Sequence, residues 1–340
     1  MKQNGSCFNE KVKYLIISSL LITAGLFLAG CRQETDPPIR RVGILYESST
    51  LIAAAEGFKE KMAELGYVDG KGVLYYMRQS DASPELNRKN AEELVKANVD
   101  LIFAFPLNAA LAAKAATRGT DIPVIFTYAG LEGNDLVKSV REPGDNITGV
   151  RSPITELTVK SFDIMHALIP RMKRLYVPYA ANYPTILPAL GALREAAEIQ
   201  GVMVVAVPVS SLEELAADLA VRGAGTVVPF DAIQLLPETL VQSPDGLKML
   251  TLFADRRKIP ISAITPWAIH AGAVFVSGLD PREMGLLAAP LADKALKGIR
   301  AGTIPVVSPE MHLRINYRQA LKIGLSVPEG LLLRADEIIR

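Results

Sequence analysis

The runs Leu101-Ile102-Phe103-Ala104-Phe105 and Val124-Ile125-Phe126-Thr127 decide the fold of this chain, since each is apolar almost without interruption. A strand that faces water on one side alternates apolar and polar residues. A strand covered on both sides is apolar throughout. The two runs therefore predict strands of a parallel sheet that has helices on both faces, which is an α/β fold.

The same rhythm of strand and helix extends toward the N-terminus. Val42-Gly43-Ile44-Leu45-Tyr46 has the composition of a buried strand. The apolar residues that follow it have helical spacing, which predicts a helix with one buried face; they are Leu51, Ala54, Ala55, Phe58, Met62 and Leu65. Another helix is predicted to begin at Ser83-Pro84, because serine is a favoured N-cap and proline is favoured in the first turn.

The second half of the chain repeats this alternation after Gly149-Val150. Helix starts are predicted at Ser211 and Asp280, which open capping-type sequences. The predicted helix and strands lie at about 155–168, 175–179, 203–207, 226–228 and 259–263. Two copies of a strand–loop–helix lobe account for this pattern. We therefore expect two Rossmann-like lobes, each built on a parallel sheet.

The N-terminus has the layout of a secretory signal. Lysines precede a mostly apolar segment from Leu15 to Ala29, which is short for a membrane span. The segment ends in Leu28-Ala29-Gly30-Cys31, which resembles the lipobox of bacterial lipoproteins. We predict a signal peptide at residues 1–30, lipidation of Cys31 and a polar tether at 31–40. The alternative is an uncleaved N-terminal anchor helix.

Composition argues against several classes of function. The formal net charge is +1 and no Lys/Arg block follows the N-terminal segment, so a nucleic-acid partner is not expected. Gly-x-Gly-x-x-Gly, Walker-type and Gly-x-Ser-x-Gly motifs are absent from the sequence. The three histidines have no metal-binding spacing. We expect no cofactor, no metal and no enzymatic activity.

A ligand of such a protein is expected beyond the carboxyl ends of the strands, where loops lead into helices. The loops there carry hydroxyls, aromatic rings and a carboxylate, which suit the polar and flat apolar parts of a small solute. The candidates are Ser49, Asn108, Thr127 and Tyr128 in the first lobe, and Tyr183, Thr185, Asp231 and Trp267 in the second. Alternatives remain open: Ser49 as a helix cap, Asp231 as a turn residue, and Trp267 as a plug on a lobe surface.

Several stretches resemble the ABC-transporter substrate-binding lipoproteins of the tryptophan/tyrosine type. Their order and spacing are more specific than any one of them. The stretches are Val42–Leu45, Leu65–Lys71, Val99–Ala104, Ala112–Thr117, Ile122–Phe126, Pro143–Val150, Ala320–Leu325 and Leu333–Ile339. The resemblance covers nearly the whole chain after the N-terminal segment.

The resemblance implies a type I periplasmic-binding-protein clamshell with three crossovers, near Val150, Ser277 and Val307. The N-terminal lobe would comprise residues 41–150 plus about 278–307, and the C-terminal lobe 151–277 plus about 308–340. The implied function is capture of a small solute, with an aromatic or apolar amino acid as the first candidate, and delivery to an ABC permease. The implied location is the periplasm or cell surface, with Cys31 anchoring the protein to the lipid bilayer.

The departures from the family pattern fall in the predicted ligand loops. Pro106-Leu107-Asn108 stands where the family usually has Gly-Thr or Gly-Ser, and Tyr128–Gly133 replaces a stretch that usually carries Asp-Pro. Pro229-Phe230-Asp231 resembles the family's Pro-Thr-Asp. Two alternative functions remain: the binding component of a membrane sensory system, and an enzyme with a carboxylate pair such as Glu47 and Asp231 in the cleft.

Overall fold

The computed structural model describes residues 39–340. The predicted signal peptide at 1–30, the lipidation site Cys31 and most of the predicted tether at 31–40 lie outside the described residues. None of the helices in the described part of the chain is both long and apolar enough to cross a membrane.

The first lobe is built on a five-stranded sheet in which all strands are parallel. In chain order its strands are β1 (Arg40–Tyr46), β2 (Val73–Gln79), β3 (Leu101–Phe105), β4 (Val124–Ala129) and β5 (Ile147–Arg151). Their spatial order is β2-β1-β3-β4-β5. All five residues of β3 are buried, which confirms the prediction made from its uninterrupted apolar run.

Helices cover both faces of this first sheet. The helices α1 (Ile52–Glu64), α2 (Pro84–Lys96) and α3 (Leu107–Ala116) follow the first three strands. The helix α1 packs on one face with a helix from much later in the chain, α9 (Pro281–Leu296), whereas α2 and α3 cover the other face. The Ser83 hydroxyl accepts a hydrogen bond from the Leu86 N–H and so caps α2, as predicted.

The second lobe is built on a seven-stranded sheet. Its strands are β6 (Arg174–Ala180), β7 (Met203–Val209), β8 (Ala232–Gln234), β9 (Ile261–Ala263), β10 (Phe275–Gly278), β11 (His312–Asn316) and β12 (Glu337–Ile339). Their order is β12-β11-β10-β9-β8-β6-β7, and every pair is parallel except β10 with β11. The first five strands of the second lobe thus repeat the parallel order of the first lobe, and the predicted α/β fold class is confirmed.

The helices of the second lobe also lie on both faces of its sheet. They are α4 (Ile154–Leu168), α5 (Ile186–Ile199), α6 (Leu212–Gly223), α7 (Pro244–Arg257), α8 (Ala268–Ala271), α10 (Tyr317–Lys322) and α11 (Glu329–Leu332). Side chains of α4 and α5 build one apolar core, and those of α6 and α7 build the other. Ser211 and Asp280 accept hydrogen bonds at the starts of α6 and α9, as predicted.

The chain passes between the lobes at three places. It leaves the first sheet after β5 and enters α4, and it leaves the second sheet after β10 and enters α9. It returns through residues that include Val307, which forms a parallel bridge with Val150 of β5, and then forms β11. The carboxyl ends of the strands in one lobe can therefore face the carboxyl ends of the strands in the other lobe.

One predicted strand is wrong. Residues 226–228 form no strand, and Val227 is 81% exposed. Pro229 follows them and has no N–H to donate to a sheet ladder. The strand in this region is β8, in which Gln234 is the last residue and pairs with Ser262 of β9. The buried side chain of Gln234 donates a hydrogen bond to the Thr158 carbonyl.

Candidate functional site

The carboxyl ends of the strands in the two sheets face each other across an interlobe cavity of about 80 Å³. Both lobes supply its wall. The first lobe contributes Leu51, Pro106, Tyr128, Gly130 and Leu279, and the second contributes Ile154, Leu157, Tyr183, Thr185, Pro237, Glu238, Thr239, Gln242, Ile264 and Thr265, with Ser152 at the crossover. No Lys, Arg or His is among the described residues that line it.

Glu238 places a carboxylate in the wall of this cavity. The residue lies in the loop after β8 and is only 6% exposed. Its oxygens accept hydrogen bonds from the N–H groups of Leu240, at 2.5 Å, and Val241, at 2.8 Å. Burial raises the pKa of Glu238 to about 7, against the lowering effect of these backbone hydrogen bonds. The side chain is therefore fixed in position by its own loop.

Glu47 is a second buried carboxylate, at the end of β1 in the first lobe. It is 1% exposed, and its Oε1 accepts a hydrogen bond of 2.6 Å from the Asn87 amide. Its Oε2 has no hydrogen-bond partner. Burial raises the pKa of Glu47, while the hydrogen bond from Asn87 and the nearby Asn108 amide lower it. Glu47 itself does not line the interlobe cavity, and its charge reaches the wall only through its effect on the pKa of Tyr183.

Two tyrosines form the aromatic part of the wall, one from each lobe. The Tyr128 hydroxyl donates to the Leu279 carbonyl at 2.9 Å. Its backbone is left-handed, with φ of 53°, beside the irregularity in the pairing of β4. The pKa of Tyr183 is raised by burial and then by the charges of Glu47 and Glu238. The charges of both carboxylates therefore act on Tyr183.

Hydroxyl and amide groups complete the polar wall. The side-chain oxygens of Thr185 and Ser152 are buried without a hydrogen-bond partner. The Gln242 Oε1 accepts from the N–H groups of Ile264 and Thr265, while its amide donates to the Leu236 carbonyl. Both polar atoms of the Gln242 side chain are thus engaged, whereas the two hydroxyls are free to bind a solute.

The structure brings together some of the residues predicted for the site. Tyr128, Tyr183 and Thr185 line the interlobe cavity. Asn108 lies in the first turn of α3, beside the Glu47 carboxylate. Thr127 is fully buried in β4, and its hydroxyl has no partner, but it does not reach the cavity wall.

Three other predicted residues lie away from the cavity. Asp231 is at the opposite edge of the second sheet, where its carboxylate accepts from the N–H groups of Lys173 and Arg174 at the start of β6. This position corrects the prediction, and it also rules out a cleft pair of Glu47 with Asp231. Ser49 is exposed, and the adjacent short turn is capped by Ser48 instead.

The Trp267 indole packs against the apolar core between α6, α7 and the sheet. It is not part of the cavity wall. This position agrees with the alternative interpretation, in which Trp267 fills a gap on the surface of one lobe, because its ring packs within the second lobe.

Glu238 is the functional candidate that sequence reasoning missed. The strand was expected at 226–228, so the loop after it was expected at 229–231. The signal was nonetheless present, because the run Ala232–Leu236 ends at Pro237 and is followed by Glu238. A strand ending there puts Glu238 at the carboxyl edge of the sheet.

A larger surface groove, of about 820 Å³, lies elsewhere on the first lobe. Pro123 and Asn146 line it, and they precede β4 and β5, so it lies at the amino ends of the strands. Ligands of open parallel sheets bind at the carboxyl ends. The interlobe cavity is therefore the candidate site. Within residues 39–340, no cluster of three His, Cys, Asp or Glu side chains is arranged to hold a metal ion.

A family model described as ABC transporter substrate binding protein matches residues 37–339. The chain belongs to this family. The resemblance inferred from the sequence is thereby confirmed. The role of the family is to bind a solute for transport, not to catalyse a reaction, and it is exercised outside the cytoplasm.

Individual relatives agree with the family. A curated tyrosine-binding protein of Clostridioides difficile (strain R20291) is 27% identical over 316 residues, which cover 88% of each chain. An ABC domain from Streptococcus pneumonia, solved in complex with L-Trp, superposes with a TM-score of 0.80 at 24% identity, over 88% of this chain and 100% of that one. A ligand-free, open substrate binding protein with adhesive properties from Clostridium difficile gives a TM-score of 0.65 at 21% identity, over 88% and 99%. These structural likenesses establish the two-lobed fold.

Proposed function

We propose that this protein captures a small solute bearing an ammonium group and an apolar body in its interlobe cavity, and delivers it to an ABC importer. The observation that carries the proposal is the Glu238 carboxylate in the cavity wall, close to Tyr183 and with no Lys, Arg or His among the lining residues that the structure describes. An ammonium group supplies the donors that such a carboxylate accepts, and aromatic rings pack well against a flat apolar group. The names of the similar proteins make tyrosine and tryptophan the first solutes to test.

Binding would proceed by opening and closure of the lobes. The cavity volume of about 80 Å³ is far below the roughly 300–1,000 Å³ of ligand pockets, so a solute needs the lobes to separate before it can enter. Closure then buries the solute between side chains of both lobes. A ligand that contacts both lobes favours the closed state by its differential affinity, which is a population shift without covalent chemistry. The closed form is the one that a permease would receive.

The N-terminal sequence supports a location at a membrane surface. The Leu28–Cys31 stretch supports lipidation of Cys31 after removal of residues 1–30. A lipidated cysteine would hold the lobes at a membrane surface in the periplasm or at the cell exterior, where the solute is met before the permease. Mass spectrometry of the mature N-terminus tests this part separately.

Ligand binding is tested by thermal unfolding of the full-length protein with a panel of amino acids, sugars and aromatic acids that lack an ammonium group. A ligand at 100 times its Kd adds about 2.7 kcal/mol to the free energy of unfolding, a readily measured rise in the midpoint. We expect a rise only with ammonium-bearing solutes. A rise only with sugars or aromatic acids would overturn the proposed ligand class, and no rise with any solute would overturn solute capture.

The role of Glu238 is tested with Glu238→Gln, which removes the charge at nearly constant volume. We expect its affinity for the solute found in the panel to fall at least about tenfold, since a hydrogen-bonded charge is worth roughly 1.5–3 kcal/mol. Glu329→Gln, at an exposed position in α11, is the matched control and should bind like the unmodified protein. Equal affinities of the two variants would contradict the assignment.

A further inference from the structure

The outer end of the second lobe has large apolar side chains that face water. The interlobe cavity lies at the carboxyl ends of the strands, so the amino ends of β6, β7 and β8 form the opposite end of this lobe. Four large apolar side chains there are between 60% and 81% exposed. They are Ile199 at the end of α5, Met203 at the start of β7, Val221 near the end of α6, and Val227 in the loop before β8. Exposed apolar clusters of this kind mark contacts with a partner or a membrane.

Hydrogen bonds join these segments into one surface. The Met203 N–H donates to the Lys173 carbonyl at 2.8 Å, which joins β7 to the chain just before β6. The Asp231 carboxylate joins the loop before β8 to the same place, through the two N–H groups from which it accepts. The Arg257 guanidinium donates to the Gly225 carbonyl at 3.1 Å, which joins the end of α7 to that loop. The apolar side chains therefore belong to a single end surface.

The same surface is basic. Exposed cations lie on two segments beside the apolar side chains, one at the start of β6 and one at the end of α7. They are Arg171, Lys173, Arg174, Arg256, Arg257 and Lys258. The formal net charge of the whole chain is only +1, so positive charge is concentrated at this end.

The carboxylates nearby offset little of this charge. Asp255 accepts a hydrogen bond of 2.7 Å from Lys322, and Asp218 accepts one of 2.6 Å from Arg222, so each of them is matched by a further cation. Glu198, at the end of α5, is exposed. Six cations against this carboxylate and Asp231 leave the end surface with a positive excess, which is complementary to an anionic partner.

We propose that this outer end of the second lobe binds the surface of a bilayer that contains anionic phospholipids. Lysine and arginine side chains are attracted to the headgroups of such a bilayer, and exposed apolar side chains enter the boundary between headgroups and acyl chains. A dissolved polyanion would neutralise the cations, but it would leave Ile199, Val221 and Val227 in water. The combination of both kinds of side chain therefore favours a lipid surface.

This contact goes beyond the proposed function and is separate from attachment through Cys31. The described chain enters β1 at Arg40, at the amino ends of the first sheet, which is the outer end of the other lobe. A lipid on Cys31 would therefore hold the first lobe, and the basic end surface would hold the second. The two attachments together would keep both lobes at the membrane.

A fluorescent label at Val227 tests the proposal in the full-length protein. Cys7→Ser and Cys31→Ser remove both native cysteines, so Val227→Cys takes a polarity-sensitive fluorophore alone. Leu187→Cys is the matched control, because Leu187 is also highly exposed but lies at the start of α5, toward the cavity. We expect vesicles of phosphatidylcholine with phosphatidylglycerol to raise the fluorescence severalfold at Val227→Cys, to leave it unchanged at Leu187→Cys, and to act less at high salt.

Three results would overturn the proposal. They are no rise at Val227→Cys, an equal rise at both labelled positions, and an equal rise with vesicles of phosphatidylcholine alone. A change with dissolved heparin but none with vesicles would assign the surface to a soluble polyanion and would also overturn it.

Charge reversal provides a test from the protein side. The pair Lys173→Glu and Arg256→Glu should require at least about tenfold more lipid for half of the fluorescence rise, since each cation near an anionic surface contributes to binding. The pair Lys89→Glu and Lys96→Glu, at exposed positions of α2 in the first lobe, makes the same change in net charge and should leave the lipid requirement unchanged. Equal lipid requirements of the two pairs would contradict the proposal. Neither pair lines the cavity, so both should bind the solute like the unmodified protein. If Lys173→Glu with Arg256→Glu does not fold, the comparison of the two labelled positions decides.

Discussion

At the scale of single residues, the buried carboxyls Glu238 and Glu47 make the stability of the protein depend on pH. Burial raises the pKa of Glu238 from its ordinary 4.5 to about 7, and it raises that of Glu47 in the same direction. Between pH 4.5 and about pH 7, the Glu238 carboxyl has released its proton in the unfolded chain but keeps it in the folded chain. The free energy of unfolding must therefore fall as pH rises through this window, by up to about 3 kcal/mol for Glu238.

Urea unfolding of the ligand-free protein at pH 5 and pH 8 measures this fall. Glu238→Gln cannot titrate, so its unfolding free energy should change less between the two pH values. The amine or amino acid that binds the cleft should remove much of the difference at pH 8, because its ammonium group compensates the charge. A wild-type stability that rises from pH 5 to pH 8 would contradict the burial of these groups.

The candidate site was partly predictable at this scale. Hydroxyls and aromatic rings after strands predicted Tyr128, Tyr183 and Thr185, and the structure places all three in the cavity wall, because carboxyl ends of parallel strands share one edge. Asp231 was assigned to the wrong edge of the sheet because the strand was predicted at 226–228, whereas β8 begins after Asp231. A shift of a few residues moves a loop residue to the opposite edge of a sheet. Glu238 was missed for the same reason. The pairing of Glu47 with Asn87 was beyond sequence reasoning, since it depends on how α2 packs beside β1.

At the scale of elements, the packing of α1 against α9 depends on two glycines that allow the helix backbones to touch. A Cβ at Gly285 would lie 2.0 Å from the Ala54 carbonyl oxygen, and one at Gly57 would lie 2.1 Å from that of Arg282. Gly285→Ala must therefore push the helices apart. We expect a loss of about 1–3 kcal/mol in the free energy of unfolding, the usual cost of overpacking.

Gly191→Ala is the matched control, since Gly191 is also helical but a Cβ there meets nothing within 4 Å. Alanine should stabilise α5 by about 0.5–1 kcal/mol, because it has the higher helix propensity. Urea unfolding of the two variants measures both effects. A Gly285→Ala protein as stable as Gly191→Ala would show that α1 and α9 are not in contact as described.

The elements themselves were largely predictable, because uninterrupted apolar strands and capped helices have local signals. The long-range partner of α1 was not. More than half of the chain separates α9 from α1, and α9 reaches α1 through a crossover between the lobes. No local sequence pattern indicates this long-range contact. The antiparallel pairing of β11 with β10 has the same origin, since pairing direction is set by the connection between strands.

At the scale of the whole molecule, function depends on how far the lobes can close, and Gly130 sits where they meet. It follows β4 in the first lobe and lines the interlobe cavity. A Cβ at this position would lie 2.4 Å from Ile154 Cγ1 and 2.8 Å from Thr185 Cγ2, both side chains of the second lobe. Gly130→Ala therefore acts as a wedge against closure, although it leaves both carboxylates in place.

We expect Gly130→Ala to bind its solute at least about tenfold more weakly, because the closed state that holds the solute is less populated. Small-angle X-ray scattering should show that the solute compacts the unmodified protein and compacts Gly130→Ala less. The double variant Gly130→Ala, Ile154→Ala removes the nearest clashing carbon, so it should recover part of the compaction. Weaker binding with full compaction in Gly130→Ala would mean that the new methyl group only narrows the cavity, and closure would then not depend on this contact.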